Sequence, residues 1–213
     1  MTRAMPIVAI CGNDGAGKSK NIAGLKAYLL ARSLPFDSVD KWDILDSRMH
    51  STCSFISTQL NPLRVQISEM PSPARMLFLM WSISITADRI RHASNKVILL
   101  DGYWMKHAAA EIAMGGSSAA IRTVAGLLPV PDITIFLDID PLVALERKRG
   151  DLTPYECACD PSLSENSFLR HQGSVAEILN RWSDEFGWRR IDASQPPEIV
   201  LRNTIVELEK TLP

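Results

Sequence analysis

Eight residues near the start of the chain, Gly12 to Ser19, match the pattern G-x-x-x-x-G-K-[ST] at every fixed position. An apolar, β-branched run at 6–11 predicts a strand before them, and leucines at helical spacing predict a helix after them. A glycine loop in this setting can wrap its N–H groups around a polyphosphate at the positive end of a helix dipole. A glycine turn that binds nothing is the weaker alternative. We therefore predict a nucleoside-triphosphate site formed by Gly12, Asn13, Asp14, Gly15, Ala16, Gly17, Lys18, Ser19 and the adjacent Lys20.

Two further roles follow from this loop. Lys18 is expected to reach the β- and γ-phosphates, and the hydroxyl of Ser19 is expected to bind Mg²⁺. An apolar strand that ends in Asp101 supplies the carboxylate that commonly holds this metal, directly or through water. Asp101 precedes Gly102 and could instead be a turn former, while Asp138 competes for the metal but precedes a proline-started helix as a cap would. Beside the loop, metal binding by Asp101 is favoured.

Composition excludes several classes of protein. A chain of 213 residues with 46% hydrophobic content fits one domain, 1–213, and a net charge of -1 gives no general attraction to nucleic acid or anionic lipid. No apolar run approaches the roughly 18–20 residues of a membrane span, and no signal peptide precedes the first strand, so a cytoplasmic location is expected. The Cys157/Cys159 pair is a weak metal signal, so reduced thiols are the simpler interpretation.

Predicted strands alternate with predicted helices along the chain. The strands are 36–39, 97–101, 133–138 and 189–192, with helices at 74–93 and 197–212. This order predicts an α/β fold, a three-layer, doubly wound, mostly parallel sheet with helices on both faces. Ligands bind beyond the carboxyl ends of such strands, where the glycine loop, Asp40 and Asp101 would meet. The helix segment 76–81 is apolar nearly all round, which predicts burial and offers a possible homodimer surface.

Three runs carry a family resemblance. Residues 13–19 are similar to a D-G-A-G-K-[ST] loop, and 191–195 are similar to an I-D-A-S/G turn before a last helix. Residues 131–150, which begin P-D-I-T-I-F-L-D, are similar to a P-D-L-T-L-x-L-D-V-x-P segment followed by A-L-x-R. These motifs resemble those of the thymidylate kinases, a family of nucleoside-monophosphate kinases. The resemblance implies a P-loop kinase fold, ATP and Mg²⁺ as cofactors, and a lid at about 147–166.

The resemblance also implies roles for individual residues. Asp14 would contact the sugar hydroxyl of the acceptor, and Arg147 and Arg149 would be lid arginines that neutralise the moving phosphoryl group. A solvated helix end is the alternative for both arginines. Ala193 and Ser194 would contact adenine through their backbone, although an ordinary turn explains them almost equally well.

The acceptor half departs from the family pattern. Where the family carries D-R-[YH], this chain has Asp101 followed by Gly102, and Asp40-Lys41-Trp42-Asp43 replaces R-E-P-G-G. Arg89 resembles a phosphate-binding arginine but lies twelve residues before Asp101 rather than about twenty, so it is expected near the far end of its helix. Glu111 occupies the place of an acceptor-site Gln.

These departures predict a rebuilt acceptor site. Loss of the guanidinium groups removes the bidentate clamp for a phosphate dianion, so we expect an acceptor other than dTMP. Aromatic rings could bind a flat group in its place, with polar help from acidic residues and Lys41. Candidate substrate contacts are Asp14, Asp40, Trp42, Phe78, Trp81, Tyr103 and Glu111. Phe78 and Trp81 could equally be core residues.

The expected function is transfer of the γ-phosphoryl group of MgATP to a nucleotide or nucleoside-like small molecule. The alternatives are a kinase of a non-nucleotide metabolite and a weakly catalytic, nucleotide-binding regulatory protein. A pure binding module has no need of Arg147, Arg149 and Asp101, which lowers the last alternative.

Overall fold

A parallel sheet forms the centre of the computed structural model, which describes residues 5–92 and 95–212. Within these ranges five strands pair in the order β2-β3-β1-β4-β5, every pair parallel. The predicted α/β fold class is thereby confirmed. The strands are β1 (Ile7–Gly12), β2 (Phe36–Asp40), β3 (Val97–Asp101), β4 (Ile133–Asp138) and β5 (Arg189–Asp192).

Helices cover both faces of this sheet. They are α1 (Lys18–Ala31), α2 (Leu60–Glu69), α3 (Ser72–Ala87), α4 (Trp104–Ala113), α5 (Ser118–Ala125), α6 (Pro141–Lys148), α7 (Glu165–Phe186) and α8 (Pro197–Glu209). Short 3-10 segments span Lys41–Leu45, Ser51–Cys53, Asp88–His92 and Pro154–Cys157. None of the helices in the described ranges is long and apolar enough to cross a membrane.

Alternate residues of β1 belong to two separate apolar cores, one on each face of the sheet. Val8 and Ile10 pack with α1, α6 and α8 on one face, while Ala9 and Cys11 pack with α3, α4 and α5 on the other. This is the period of two that a strand imposes on its side chains. Because both faces are buried, β1 is fixed at the centre of the sheet and delivers the glycine loop to its carboxyl edge.

The predicted strands agree closely with those observed, whereas several helices were not predicted. The strands 97–101, 133–138 and 189–192 have their predicted bounds, and β2 continues one residue further to Asp40. The helix predicted at 74–93 ends at Ala87 and continues as the 3-10 segment, and residue 93 lies outside the described ranges. The sequence did not predict α2, α4, α5 or α7. The proline of α2, Pro62, lies in the first turn of that helix, where the missing N–H costs no helical hydrogen bond.

The apolar segment 76–81 is only partly buried, contrary to the prediction. Leu79 and Met80 are buried, but Leu77 is 54% exposed and Met76, Phe78 and Trp81 are half-buried. The segment is apolar all round, yet only one side of α3 faces the second core. Leu77 therefore leaves an apolar surface open, and the homodimer stays a prediction.

Phe136 offers a test of this architecture, since its ring is fully buried between β4 and the helices of the second core. We expect Phe136→Ala to lower the free energy of unfolding by about 3–5 kcal/mol, the usual effect of removing a buried aromatic ring. Denaturant titration measures the change. Val130→Ala is the control, because Val130 is 83% exposed and should change stability by less than about 0.5 kcal/mol. Equal effects of the two substitutions would contradict the assigned core.

Candidate active site

A cleft of about 770 Å³ lies at the carboxyl edge of the sheet. The glycine loop forms one wall, and the residues after β2 and β3, helix α2 and the segment 147–156 form the others. This is the edge at which the sequence predicted a ligand. The predicted site residues that line the cleft are Asp14, Gly15, Gly17, Lys18, Ser19, Lys20, Asp40, Trp42, Asp101 and Arg147.

The glycine loop has the backbone that polyphosphate binding requires. Gly12, Gly15 and Gly17 have φ values of 152°, 86° and 84°, which side-chain-bearing residues rarely adopt. A Cβ on Gly15 would also lie 2.8 Å from the carbonyl oxygen of Ala144. The loop is thus closely packed against α6, and its open side faces the cleft.

Lys18 is held by the loop itself. Its Nζ donates to the carbonyl oxygens of Gly12 and Asn13, at 3.0 and 2.7 Å. Burial lowers the pKa of Lys18, and the Asp14 carboxylate opposes that shift. An ammonium group in this setting can exchange loop carbonyls for phosphate oxygens with little movement of its side chain.

The carboxylate of Asp14 is the centre of a charged cluster. Lys106 Nζ lies 2.8 Å from its Oδ2, and Lys18 Nζ lies 3.9 Å from its Oδ1. Burial alone would raise the pKa of Asp14, but Lys106 and Lys18 outweigh it and hold the pKa far below the usual range. Asp14 is therefore an anion at all ordinary pH values, placed between the loop and helix α4.

Gln172 of α7 joins the glycine loop to the segment 147–156, which precedes α7 in the sequence. Its fully buried side chain accepts a hydrogen bond from the N–H of Asp14 at 3.1 Å and donates to the carbonyl oxygen of Glu156 at 3.0 Å. The Glu156 side chain in turn accepts from Lys148 at 2.5 Å and from the N–H of Thr153 at 2.9 Å. The base of the predicted lid is thus anchored directly to the glycine loop.

Asp101, a predicted metal ligand, ends β3 beside Asp40, a predicted substrate contact that ends β2. Asp40 and Asp101 are paired in the register of β2 with β3. Burial and then the charge of Asp40 raise the pKa of Asp101, a repulsion that a bound cation would relieve. Together with the Ser19 hydroxyl, this is the hard oxygen donor set that suits Mg²⁺.

The described part of the chain contains no cluster of three or more His, Cys, Asp or Glu side chains that could hold a metal unaided. A magnesium ion here would therefore need phosphate oxygens and water as further ligands, as is usual for this ion. Cys157 and Cys159 form no disulfide, and their role as plain reduced thiols stays a prediction.

Cations and polar rings line the wall across from the loop. Lys41 Nζ lies 4.6 Å from the ring centre of Trp42, and the guanidinium of Arg64 lies 5.5 Å from it. Burial lowers the pKa of Lys41 to about 8, although Asp40 opposes the shift. Lys106 and His107 of α4 complete this wall.

Two buried polar atoms at this wall have no hydrogen-bond partner within the described residues. They are Nδ1 of His107 and the hydroxyl of Tyr155, whose rings are 6.0 Å apart. Burial and then the charge of Lys41 lower the pKa of His107 well below its usual value, while burial raises that of Tyr155. Both side chains are therefore neutral. His107 keeps hydrogen-bonding capacity that the protein leaves unused, while the carboxylate of Glu111 lies near enough to Tyr155 to raise its pKa further.

Sequence reasoning missed several residues of the site: Arg64, Lys106, His107, Tyr155 and Gln172. Arg64 lies on the unpredicted helix α2, so nothing directed attention to it. Lys106 carried a usable signal, because it lies in the first turn of the helix that follows the strand end at Asp101. Gln172 lies far along the chain and only tertiary packing brings it to the loop.

Four predicted substrate contacts lie outside the cleft lining and are corrected here. Phe78 and Trp81 pack on each other, with ring centres 5.8 Å apart, on the partly exposed side of α3. Tyr103 is buried in the second core, and its hydroxyl donates to the carbonyl oxygen of Pro129 at 3.0 Å. Glu111 is fully buried and bound by Arg75. Each side chain is occupied by the protein itself.

Of the predicted donor-side residues, some line the cleft and others lie outside it. Arg147 lines the cleft and donates to the carbonyl oxygen of Ser194 at 3.3 Å, which places the turn at Ala193 and Ser194 beside it. Arg149 is exposed at the end of α6, 3.7 Å from Glu165, outside the lining. Arg89 lies outside the cleft lining, in the 3-10 segment after α3, but it is partly buried and pairs with Asp37 and with Asp43, just past the carboxyl end of β2.

Comparison with known proteins supports the family resemblance. The chain is 31% identical to a probable thymidylate kinase of Pyrobaculum aerophilum, and 97% of each chain is covered. It is 27% identical to probable thymidylate kinase 1 of Saccharolobus solfataricus over 97% of this chain and 98% of the relative. A thymidylate kinase of Chlorobium chlorochromatii is 26% identical, with 97% and 95% covered. No protein-family model matches the chain.

The buried pair of Arg75 and Glu111 generates a stability prediction. The guanidinium binds both carboxylate oxygens, at 2.7 and 3.2 Å, and joins α3 to α4 beside the cleft. We expect Arg75→Met to cost about 3–5 kcal/mol of unfolding free energy, because Glu111 would be left as an unpaired buried charge. Arg48→Met is the control, since Arg48 is 89% exposed in its pair with Asp46 and should change stability by less than about 0.5 kcal/mol. Chemical denaturation of both variants measures the difference, and a small loss for Arg75→Met would show that water reaches Glu111.

Proposed function

Because the chain belongs to the thymidylate kinase family, we propose that it transfers the γ-phosphoryl group of MgATP to a nucleotide or nucleoside-like acceptor. The enzyme is a kinase, a phosphotransferase. The observation that carries the proposal is that one cleft is lined by Lys18, Ser19 and Asp101 as well as by Trp42, Lys41 and Arg64.

The donor side supplies charge and position rather than covalent chemistry. Phosphoryl transfer passes through a loose transition state in which negative charge is spread over the phosphoryl oxygens. Lys18 would bind the β- and γ-phosphates in place of the loop carbonyls that it now contacts. Ser19 and Asp101 would hold Mg²⁺, which neutralises phosphate charge when bound. Arg147 would approach the phosphoryl group from the segment 147–156.

The acceptor side is proposed to differ from that expected for dTMP. Gly102, where the resemblance places an arginine, has no side chain, and Trp42 replaces the proline-glycine run after β2. Trp42 offers a flat surface, and His107 and Tyr155 offer buried polar atoms to a heterocycle. We propose that the acceptor is a small molecule rather than a nucleic acid polymer, and that residues 1–213 act as one domain with a lid at about 147–166.

The direct test is a coupled ADP-release assay over nucleosides, nucleoside monophosphates and sugars. We expect a nucleoside monophosphate other than dTMP to be the best acceptor, and Lys18→Ala to abolish turnover because the phosphates lose their main cation. Efficient dTMP turnover would refute the acceptor assignment, and a sugar as best acceptor would favour a metabolite kinase. Unchanged turnover by Lys18→Ala, or ATP binding without any phosphoryl transfer, would remove the kinase proposal.

Substitutions of the two predicted lid arginines should have different kinetic effects. Arg147 lines the cleft and Arg149 does not, so we expect Arg147→Ala to lower kcat at least about 100-fold with little change in ATP affinity, whereas Arg149→Ala has a smaller effect. Steady-state kinetics at saturating acceptor, with ATP binding measured separately, distinguishes the two. A larger loss for Arg149→Ala would mean that the segment rearranges to bring Arg149 to the phosphates.

A further inference from the structure

Lys106 occupies an unusual position for a lysine. It lies in the first turn of α4, directly after the end of β3, and only 8% of its side chain is exposed although it lines the cleft. A lysine is seldom buried unless its charge is paired or used. Its ammonium group lies 2.8 Å from Asp14 Oδ2 and 5.0 Å from the ring centre of Tyr155.

This position is between the two halves of the site. Asp14 belongs to the glycine loop, whereas Lys106 projects from the helix that forms the opposite wall together with His107. The loop already has its own cation, because Lys18 is bound to the carbonyl oxygens of Gly12 and Asn13. Lys106 is therefore the cation that faces the loop from the acceptor side.

The charges around Lys106 leave it able to bind a further anion. Asp14 is shared between Lys106 and Lys18, so it neutralises only one of the two. Of the other four described carboxylates that line the cleft, Glu156 is bound by Lys148 and Asp151 follows α6. The remaining two, Asp40 and Asp101, form the region proposed for Mg²⁺. Lys41 and Arg64 add two cations to the same wall. With a metal bound, this wall carries a local excess of positive charge.

We propose that Lys106, assisted by Lys41, binds the phosphate group of a nucleoside-monophosphate acceptor and holds it facing the γ-phosphoryl group on Lys18. This inference rests on the proposed function and assigns its acceptor a chemical class. Asp14 holds the ammonium group in place until the acceptor phosphate joins it. The step is ionic binding only, and no bond is made or broken by Lys106.

The assignment also changes the conclusion drawn from Gly102. The missing side chain at that position removes one route to phosphate recognition, but a lysine in the first turn of the following helix supplies another. An ammonium group binds phosphate as a point charge, so the clamp is less directional than a guanidinium pair. Phosphate is still recognised, and discrimination among acceptors falls to the groups around Trp42 and His107.

A comparison of nucleotides with nucleosides isolates this interaction. Calorimetry would measure the affinities of dTMP, dUMP, dCMP, dAMP and dGMP, and of their parent deoxynucleosides, for wild type and Lys106→Met. We expect the ratio of monophosphate to nucleoside affinity to fall about 10- to 100-fold in the variant, as for loss of a charged hydrogen bond. Nucleoside and ATP affinities should change less than about threefold. Lys106→Arg should keep most of the preference.

Two further lysine-to-methionine variants serve as controls for Lys106→Met. Lys96→Met removes an exposed charge at the opposite end of β3 and should leave the ratio unchanged. Lys41→Met, at a half-buried lysine, should lower the ratio in the same direction even if Lys106→Met fails to fold. The assignment would be overturned by an unchanged ratio in a folded Lys106→Met enzyme, or by an equal loss of ATP affinity. The proposed function would still stand in either case if the wild-type enzyme turned over a monophosphate. No turnover of any monophosphate by wild type would overturn both.

Discussion

The carboxylate of Asp14 is the point on which the site depends. It is contacted by Lys18 at the start of α1, by Lys106 of α4 and by Gln172 of α7, three elements far apart in the sequence. Because a buried charge is tolerated only when it is paired, these contacts must form together for the loop to keep its shape. The glycine loop is therefore held by tertiary electrostatics as well as by its own backbone conformation.

This arrangement prepares the cleft for anions before any ligand arrives. Lys18 rests on loop carbonyls and Lys106 rests on Asp14, so each cation is already oriented and partly desolvated. An incoming phosphate replaces or joins protein oxygens instead of displacing a full hydration shell. Fixed charges of this kind need little reorganisation during the reaction, which is how electrostatic stabilisation lowers a barrier most effectively.

The fold was predictable because its signals are local. β-Branched runs such as 97–101 and 133–138 have the length and composition of buried parallel strands, and the glycine loop identifies the edge that binds ligand. The positions of Lys18, Ser19 and Asp101 at the cleft were predictable for the same reason, since these residues are placed by the elements that they end or begin. The spacing of Arg89 from Asp101 predicted its place outside the cleft lining, but not its ion pairs with Asp37 and Asp43, which are tertiary.

The acceptor half could not be predicted in the same way, because burial and pairing there are tertiary. Glu111 was a reasonable candidate contact until Arg75, from the preceding helix, was found to occupy both its carboxylate oxygens. Tyr103 was likewise an aromatic near a strand end whose hydroxyl is used by Pro129. Conversely, Gln172 and Arg64 had no sequence signal that distinguished them from surface polar residues.

Relocating the acceptor cation from a strand end to a helix has a physical consequence for selectivity. A guanidinium group fixes both the position and the orientation of a phosphate through paired hydrogen bonds, whereas an ammonium group on a flexible stem fixes mainly its position. The orientation of the acceptor must then come from the other end of the molecule. In this cleft that end meets Trp42 and the buried polar atoms of His107 and Tyr155, which a heterocycle can satisfy only if its own donors and acceptors match. Because an unmatched pair of buried polar atoms costs more than a lost apolar contact, selectivity comes from the groups that meet the ring rather than from the ammonium group that holds the phosphate.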